Sequence, residues 1–295
     1  MIHTLDLGFM GLDQTIASFL IESEAGPILV ETGPHSTFPK LEEEIKACGY
    51  QVSDIRHVLL THIHLDHAGA AWAFAEKGAT IYLHPFGARH LKDPSKLMES
   101  ARRIYQDQMD SLWGQMKPIP ADQLKEVEDR AVIEIGAHQF KALHTPGHAV
   151  HHIAWQLDDQ IFTGDVAGIR ISTDGMIVPP CPPPDINIED WINSLNILRA
   201  VSPATIYLTH FGKVTDVVEH LAALEKRLLD WSGWMKPQYE AGRAVKEVIP
   251  EFEAYVKKQL INHGMDEQKL RQYESANPSW MSVAGLMRYW KKRSS

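Results

Sequence analysis

Cysteine is scarce in this chain: its 295 residues hold only Cys48 and Cys181. Two thiols cannot build a disulfide framework or a cysteine-rich zinc site. A reducing, cytoplasmic setting is the expectation that follows. Long apolar runs are absent, and none approaches the roughly 18–20 residues that span a bilayer, so no membrane partner is expected. Met1-Ile2-His3-Thr4-Leu5-Asp6 has no basic stretch leading into an apolar one, and no signal peptide is read there. Positive charge is in short supply: 29 Lys and Arg stand against 38 Asp and Glu, a net charge of −9. Phosphate backbones are bound by Lys and Arg, so the balance argues against a nucleic-acid partner. There is no Ser–His–Asp or Cys–His motif and no glycine-rich phosphate loop. What remains is an ordinary globular composition, 44% hydrophobic and 23% charged, which excludes a disordered chain, a collagen-like chain and a coiled-coil rod.

The first two-thirds alternate short β-rich runs with helical stretches. Strands are predicted at 16–21, 28–30, 57–60, 80–83, 140–143, 151–156, 160–162 and 205–208, where apolar or β-branched runs are bounded by Gly, Pro or polar clusters. Helices are predicted at 38–47, 67–76, 95–116 and 188–200. Such interleaving implies an α/β layered domain. The 95–116 stretch reads as a long helical insertion, with Arg102, Arg103 and Tyr105 on it. Pro179 to Pro184, interrupted by Cys181, is a stiff extended loop, either a surface spacer or a pocket wall. From Thr215 the pattern turns helical, with Val217, Val218, Leu221, Leu224, Leu228 and Trp231 at helical spacing. Residues 1–215 therefore read as one catalytic-size domain and 216–295 as a helical extension. The extension carries 13 Lys and Arg and 11 Asp and Glu. Its apolar seam is expected to pack on the core or to form a homodimer contact.

The chemistry concentrates in Thr61-His62-Ile63-His64-Leu65-Asp66-His67. A lone histidine is usually a satisfied structural residue, but four metal-competent side chains within six residues at a strand end are hard to explain that way. Imidazole nitrogen and carboxylate oxygen suit first-row metals. In extended backbone His62 and His64 project to the same side. The turn into the next helix lets Asp66 and His67 face a second position, so the cluster can serve two adjacent metals. Three more candidates follow strands: His148 in Thr-Pro-Gly-His, Asp165 in Thr-Gly-Asp and His210 in Thr-His-Phe-Gly. Strand ends of an α/β sheet are where an active site is expected.

This series of motifs, from Glu31-Thr32-Gly33 through the His-x-His-x-Asp-His cluster to Gly147-His148, Gly164-Asp165 and Thr209-His210, resembles the metallo-β-lactamase-fold hydrolases over about residues 14–215. The metal motif is similar to that of hydroxyacylglutathione hydrolases. The resemblance implies an αββα sandwich with two metals in a groove at the sheet edges. It implies that His62, His64 and His148 hold one metal, that Asp66, His67 and His210 hold the other, and that Asp165 bridges them. Many members of the family carry Asp where this chain has Glu31. That residue supports the metal loop from behind, and His152 is the best candidate for a similar supporting role.

Seven ligands are too many for one tetrahedral zinc. Two metals about 3.5–4 Å apart can share Asp165 and a water whose pKa falls to about 7. The reading is a dinuclear, metal-dependent hydrolase, zinc by default with iron or manganese as alternatives. Its bridging hydroxide would act on a small carboxylic ester, thioester or lactone. Asp66 is the candidate to orient the nucleophile or move its proton. Tyr105, Arg170 and the proline-rich loop are candidates for substrate contact, although an exposed helix face explains Tyr105 equally well. Phosphodiester hydrolysis, a mono-iron persulfide dioxygenase-like reaction and a non-enzymatic binding module are the alternatives. The fold alone does not fix the substrate.

Overall fold

The computed structural model describes residues 1–294. Twelve strands form two six-stranded sheets. The first sheet runs in chain order: β1 (Ile2–Asp6), β2 (Ala17–Ile21), β3 (Ile28–Val30), β4 (His57–Leu59), β5 (Thr80–Leu83) and β6 (Leu124–Glu126). The second holds β7 (Val132–Ile135), β8 (His138–His144), β9 (Ile153–Leu157), β10 (Gln160–Phe162), β11 (Thr205–Leu208) and β12 (Gly212–Val214). β3 to β6 pair in parallel. In the second sheet only β10 and β11 do so.

Side-chain alternation explains the layering. On β2, Phe19 and Ile21 face the second sheet, where they meet Phe140, Trp155 and Phe162. Leu20 faces the other way, into a cluster with Leu41, Ile45 and Phe74 of the covering helices. All five β2 residues are buried because both faces are covered. β9 behaves likewise: Ile153, Trp155 and Leu157 point between the sheets, and Ala154 points outward toward Trp191 and Leu195. Helices therefore flank both sheets, and the architecture is the expected αββα sandwich.

The C-terminal helices are Val217–Glu240, Val245–Asn262, Glu267–Ala276 and Ser279–Arg293. Val217, Leu221, Leu224, Leu228 and Trp231 are buried as their spacing predicts, whereas Val218 is 75% exposed. One apolar cluster runs from Leu143 and Ile206 of the second sheet through Trp191 to Phe252 and Leu286 of these helices. Among the described residues, no helix is long and apolar enough to cross a membrane.

Several local expectations need correction. The single helix expected at 95–116 is Ser95–Tyr105, a 3-10 turn at Gln106–Gln108 and a short helix at Met109–Leu112. Gln106, at φ 47°, breaks it. The helix expected at 67–76 starts earlier and is split into Leu65–Ala68 and Ala71–Ala75. The strand expected from His151 starts at Ile153, leaving both His151 and His152 in the preceding turn.

Candidate metal centre

Each candidate ligand is delivered by a strand end. β4 leads into Thr61 and His62, and His64 caps the short helix that carries Asp66 and His67. His148 follows β8, Asp165 follows β10 and His210 follows β11. Two glycines make the second set accessible. Gly147 has φ 127°, and a Cβ there would overlap the backbone of Trp191. Gly164 has φ 49°, and a Cβ would strike the Thr61 hydroxyl and His152. Both conformations belong to glycine, and each immediately precedes a ligand.

The side chains fall into two groups, His62, His64, His148 and Asp165 in one, Asp66, His67 and His210 in the other. His62 Nε2 lies 2.9 Å and His148 Nε2 3.0 Å from His64 Nδ1. Asp165 stands between the groups. Its Oδ2 is 3.3 Å from His148 Nε2, while its Oδ1 is 3.3 Å from His67 Nε2 and 3.5 Å from His210 Nε2. Asp66 Oδ2 is 3.4 Å from His210 Nε2 and 3.7 Å from His67 Nε2. A tetrahedral site with bonds of about 2.0–2.1 Å has edges of about 3.3–3.4 Å; the 3.3–3.5 Å spacings around Asp165 and His210 match this, and the contacts to His64 Nδ1 are shorter. His67 Nε2, His210 Nε2 and Asp165 Oδ1 are buried with no hydrogen-bond partner of their own. Orphaned buried polar atoms are costly, and three of them converging fit metal coordination.

Four of the five imidazoles meet an oxygen on their far side. His148 Nδ1 donates to the Pro180 carbonyl at 2.9 Å, and His210 Nδ1 to the Thr15 carbonyl at 2.6 Å. His62 Nδ1 is 3.0 Å from the Thr61 hydroxyl, which donates onward to Glu31 Oε1. His67 Nδ1 lies 3.3 Å from the same carboxylate oxygen. The hydrogen bonds behind His62, His148 and His210 fix their tautomers so that Nε2 faces the cluster, whereas His64 turns its Nδ1 toward it. Glu31 thus stands behind two ligands, and its φ of 63° is rare for a residue with a Cβ. His152 donates or accepts at Nδ1 with the Thr145 hydroxyl at 2.9 Å, and its ring lies 5.0 Å from that of His62.

Burial pushes His62 and His64 down, and His148 down to about 4, which favours the neutral form that binds metal. In the other group burial is outweighed: Asp165 and Asp66 push His67 and His210 up. His67 and His210 in turn hold the Asp66 carboxyl down to about 2 against its burial. This half of the site draws positive charge.

The cluster opens into a cavity of about 830 Å³. His64, Asp66, Asp165 and His210 lie on its surface, and Phe9, Leu97, Ile104, Trp113, Trp280 and Met281 give it apolar walls. Pro180 and Pro182 to Pro184 line it too, so the proline-rich loop is a pocket wall. Tyr105 lines the cavity, its hydroxyl 3.5 Å from Met281 Sδ. Arg170 does not. Its guanidinium donates to both Asp216 carboxylate oxygens, at 2.7 and 2.9 Å, and to the Thr173 carbonyl. That ion pair takes it out of the expected pocket role. Sequence reading missed Thr15, Thr61 and the Pro180 carbonyl behind the ligands, and the C-terminal part of the wall. A hydroxyl or a carbonyl carries no metal signature in a sequence. The helical tail gave no sign of which turn would reach the cavity.

The family model for the metallo-beta-lactamase superfamily matches residues 13–210. A metallo-beta-lactamase fold-containing protein of Sulfurisphaera tokodaii is 31% identical over 176 residues, covering 56% of this chain and 64% of that one. An N-acyl homoserine lactonase of a Bacillus species is 28% identical over 165 residues, covering 48% of this chain and 57% of that one. The chain thus matches less than two thirds of either relative's length. A solved metallo-beta-lactamase family protein of Thermus thermophilus superposes with a TM-score of 0.70 at 20% identity, over 99% of this chain and 94% of that one. That likeness is one of fold. The match from residue 13 to 210 takes in every candidate ligand, and with the two-sheet architecture it shows that this chain belongs to the metallo-beta-lactamase superfamily.

Proposed function

We propose that this protein is a dinuclear metal-dependent hydrolase that opens a carboxylic ester, thioester or lactone. The observation that carries the reading is the seven-residue cluster at the base of an apolar-walled cavity. His62, His64 and His148 would hold one divalent cation, Asp66, His67 and His210 the other, with Asp165 shared. Zinc suits this set of imidazoles and carboxylates. When bound, such a pair polarises a substrate carbonyl and lowers the pKa of a water to about 7.

The chain's own groups do the rest. Glu31, Thr61 and the carbonyls of Thr15 and Pro180 keep the ligating nitrogens aimed. Asp66 is part of the cluster and also meets the cavity, with 21% of its side chain exposed. Its proposed role is to take a proton at its carboxylate and return it to a leaving oxygen or sulfur. Burial pushes the Tyr105 hydroxyl up, so it stays a hydrogen-bond donor toward a substrate oxygen. The apolar walls exclude water and accommodate a hydrocarbon acyl group. The lactonase likeness favours acyl chemistry over phosphodiesters.

The test is a substrate panel of lactones, thioesters, aryl esters and phosphodiesters, offered to protein of measured metal content. Turnover of an acyl substrate at about two metals per chain is expected. Its loss is expected in His64→Ala and Asp165→Ala. Preference for phosphodiesters, or full activity in either variant at controlled metal content, overturns the proposal.

A further inference from the structure

Among the described residues, Arg271 is the only Lys or Arg that lines the cavity. Its guanidinium makes no hydrogen bond or ion pair with any other described residue. The acid nearest along its helix, Glu274, is occupied elsewhere. Its carboxylate accepts from the Ser279 backbone N–H at 2.9 Å and the Ser279 hydroxyl at 2.8 Å, closing the start of the next helix. The Glu267–Ala276 helix is itself anchored on two sides. The Gln272 amide donates to the Asp13 carbonyl at 2.7 Å, and the Tyr273 hydroxyl donates to the Met176 carbonyl at 2.5 Å. Arg271 is therefore presented to the cavity from a fixed element with all its donors free.

A guanidinium offers a planar fork of donors that matches a carboxylate or a phosphate. Arg271 is exposed, so an anion there keeps part of its hydration while the hydrocarbon lies against the apolar walls. The other ionic groups on the wall are Asp66 and Asp165, which belong to the metal cluster, and the occupied Glu274. We propose that Arg271 sets substrate preference by pairing with an anionic group, carboxylate or phosphate, carried away from the bond that is cut. The substrate class is then an amphipathic acyl compound: an ester, thioester or lactone with an apolar body and one remote negative charge. This rests on the hydrolase reading for the bond cut, though not for the anion contact.

Two measurements on the full-length, metal-loaded protein separate the claims. The first compares kcat/KM for matched acyl substrates ending in a carboxylate, a phosphate or a methyl ester, in the native protein and in Arg271→Gln. The native protein should favour one of the anions, and the substitution should reduce that preference about tenfold. The anion that loses more identifies the group. The second measures binding of octanoate, octyl phosphate and octanol by calorimetry, which needs no turnover. An anion should bind more tightly than octanol to the native protein, and this margin should collapse in Arg271→Gln. Hydrolysis with the same anion preference in both proteins overturns the Arg271 assignment and leaves the hydrolase standing. An Arg271-dependent margin in calorimetry without any acyl hydrolysis overturns the hydrolase and leaves the assignment standing.

Discussion

Thr61 shows how much of the centre depends on a residue that is not a ligand. Its hydroxyl stands between the His62 ring and the Glu31 carboxylate. It accepts from the one and donates to the other, so a single proton arrangement presents a bare His62 Nε2 to the cluster. Thr61→Val keeps the shape and removes this relay. The expected outcome is a 10- to 100-fold loss of metal affinity, read by competition with a chromophoric chelator; unchanged affinity would refute the relay. At this scale the sequence was legible where side chains crowd together. His62, His64, Asp66 and His67 announce themselves by density, and His148 and Asp165 by the glycine in front of them. The oxygens behind them were not, because the Pro180 and Thr15 carbonyls are backbone and any residue has one. Arg170 misled for the opposite reason: its partner Asp216 is distant in the chain, and only the fold brings the two together.

Between elements, one tight fit is at Gly147, where the loop before His148 rests on the backbone of Trp191 in the Ile188–Val201 helix. Trp191 is fully buried, donates its indole N–H to the Val166 carbonyl at 2.7 Å and packs edge-on to the His148 ring. It supports two ligand loops at once, those of His148 and Asp165. Trp191→Ala is expected to cost about 3–5 kcal/mol of stability, checked by urea unfolding; a loss below about 1 kcal/mol would show the helix to be dispensable. Central strands such as Ile28–Val30, Thr80–Leu83 and Gln160–Phe162 were legible because burial on both faces leaves an apolar run. The strands Ile2–Asp6, Leu124–Glu126, Val132–Ile135 and Gly212–Val214 lie at sheet margins and keep Asp, Glu or Lys in the run, so their pattern faded. The break at Gln106 follows from backbone conformation, which helical spacing does not reveal.

On the scale of the molecule, and among the described residues, the outer face of the second sheet packs into the cluster it shares with Trp191 and the C-terminal helices. A chain cut after residue 215 would bare Val214 and the faces that meet Leu221, Leu224 and Leu286. It is expected to aggregate or to melt without cooperativity, measured by light scattering and calorimetry. A monomeric fragment with a sharp melting transition would show that the shared core is not needed. The same helices bring Trp280, Met281 and Arg271 to the cavity, so selectivity and stability draw on one region. The candidate ligands are divided between the sheets. Asp66 and His67 follow a strand of the first, Asp165 and His210 follow strands of the second, and the Thr15 carbonyl crosses from the first to hold His210. During synthesis His62 and His64 leave the ribosome well before His148, and His210 emerges last of the seven. The emerging half-chain therefore lacks His148, Asp165 and His210, and neither candidate group is complete until strands of both sheets have been made.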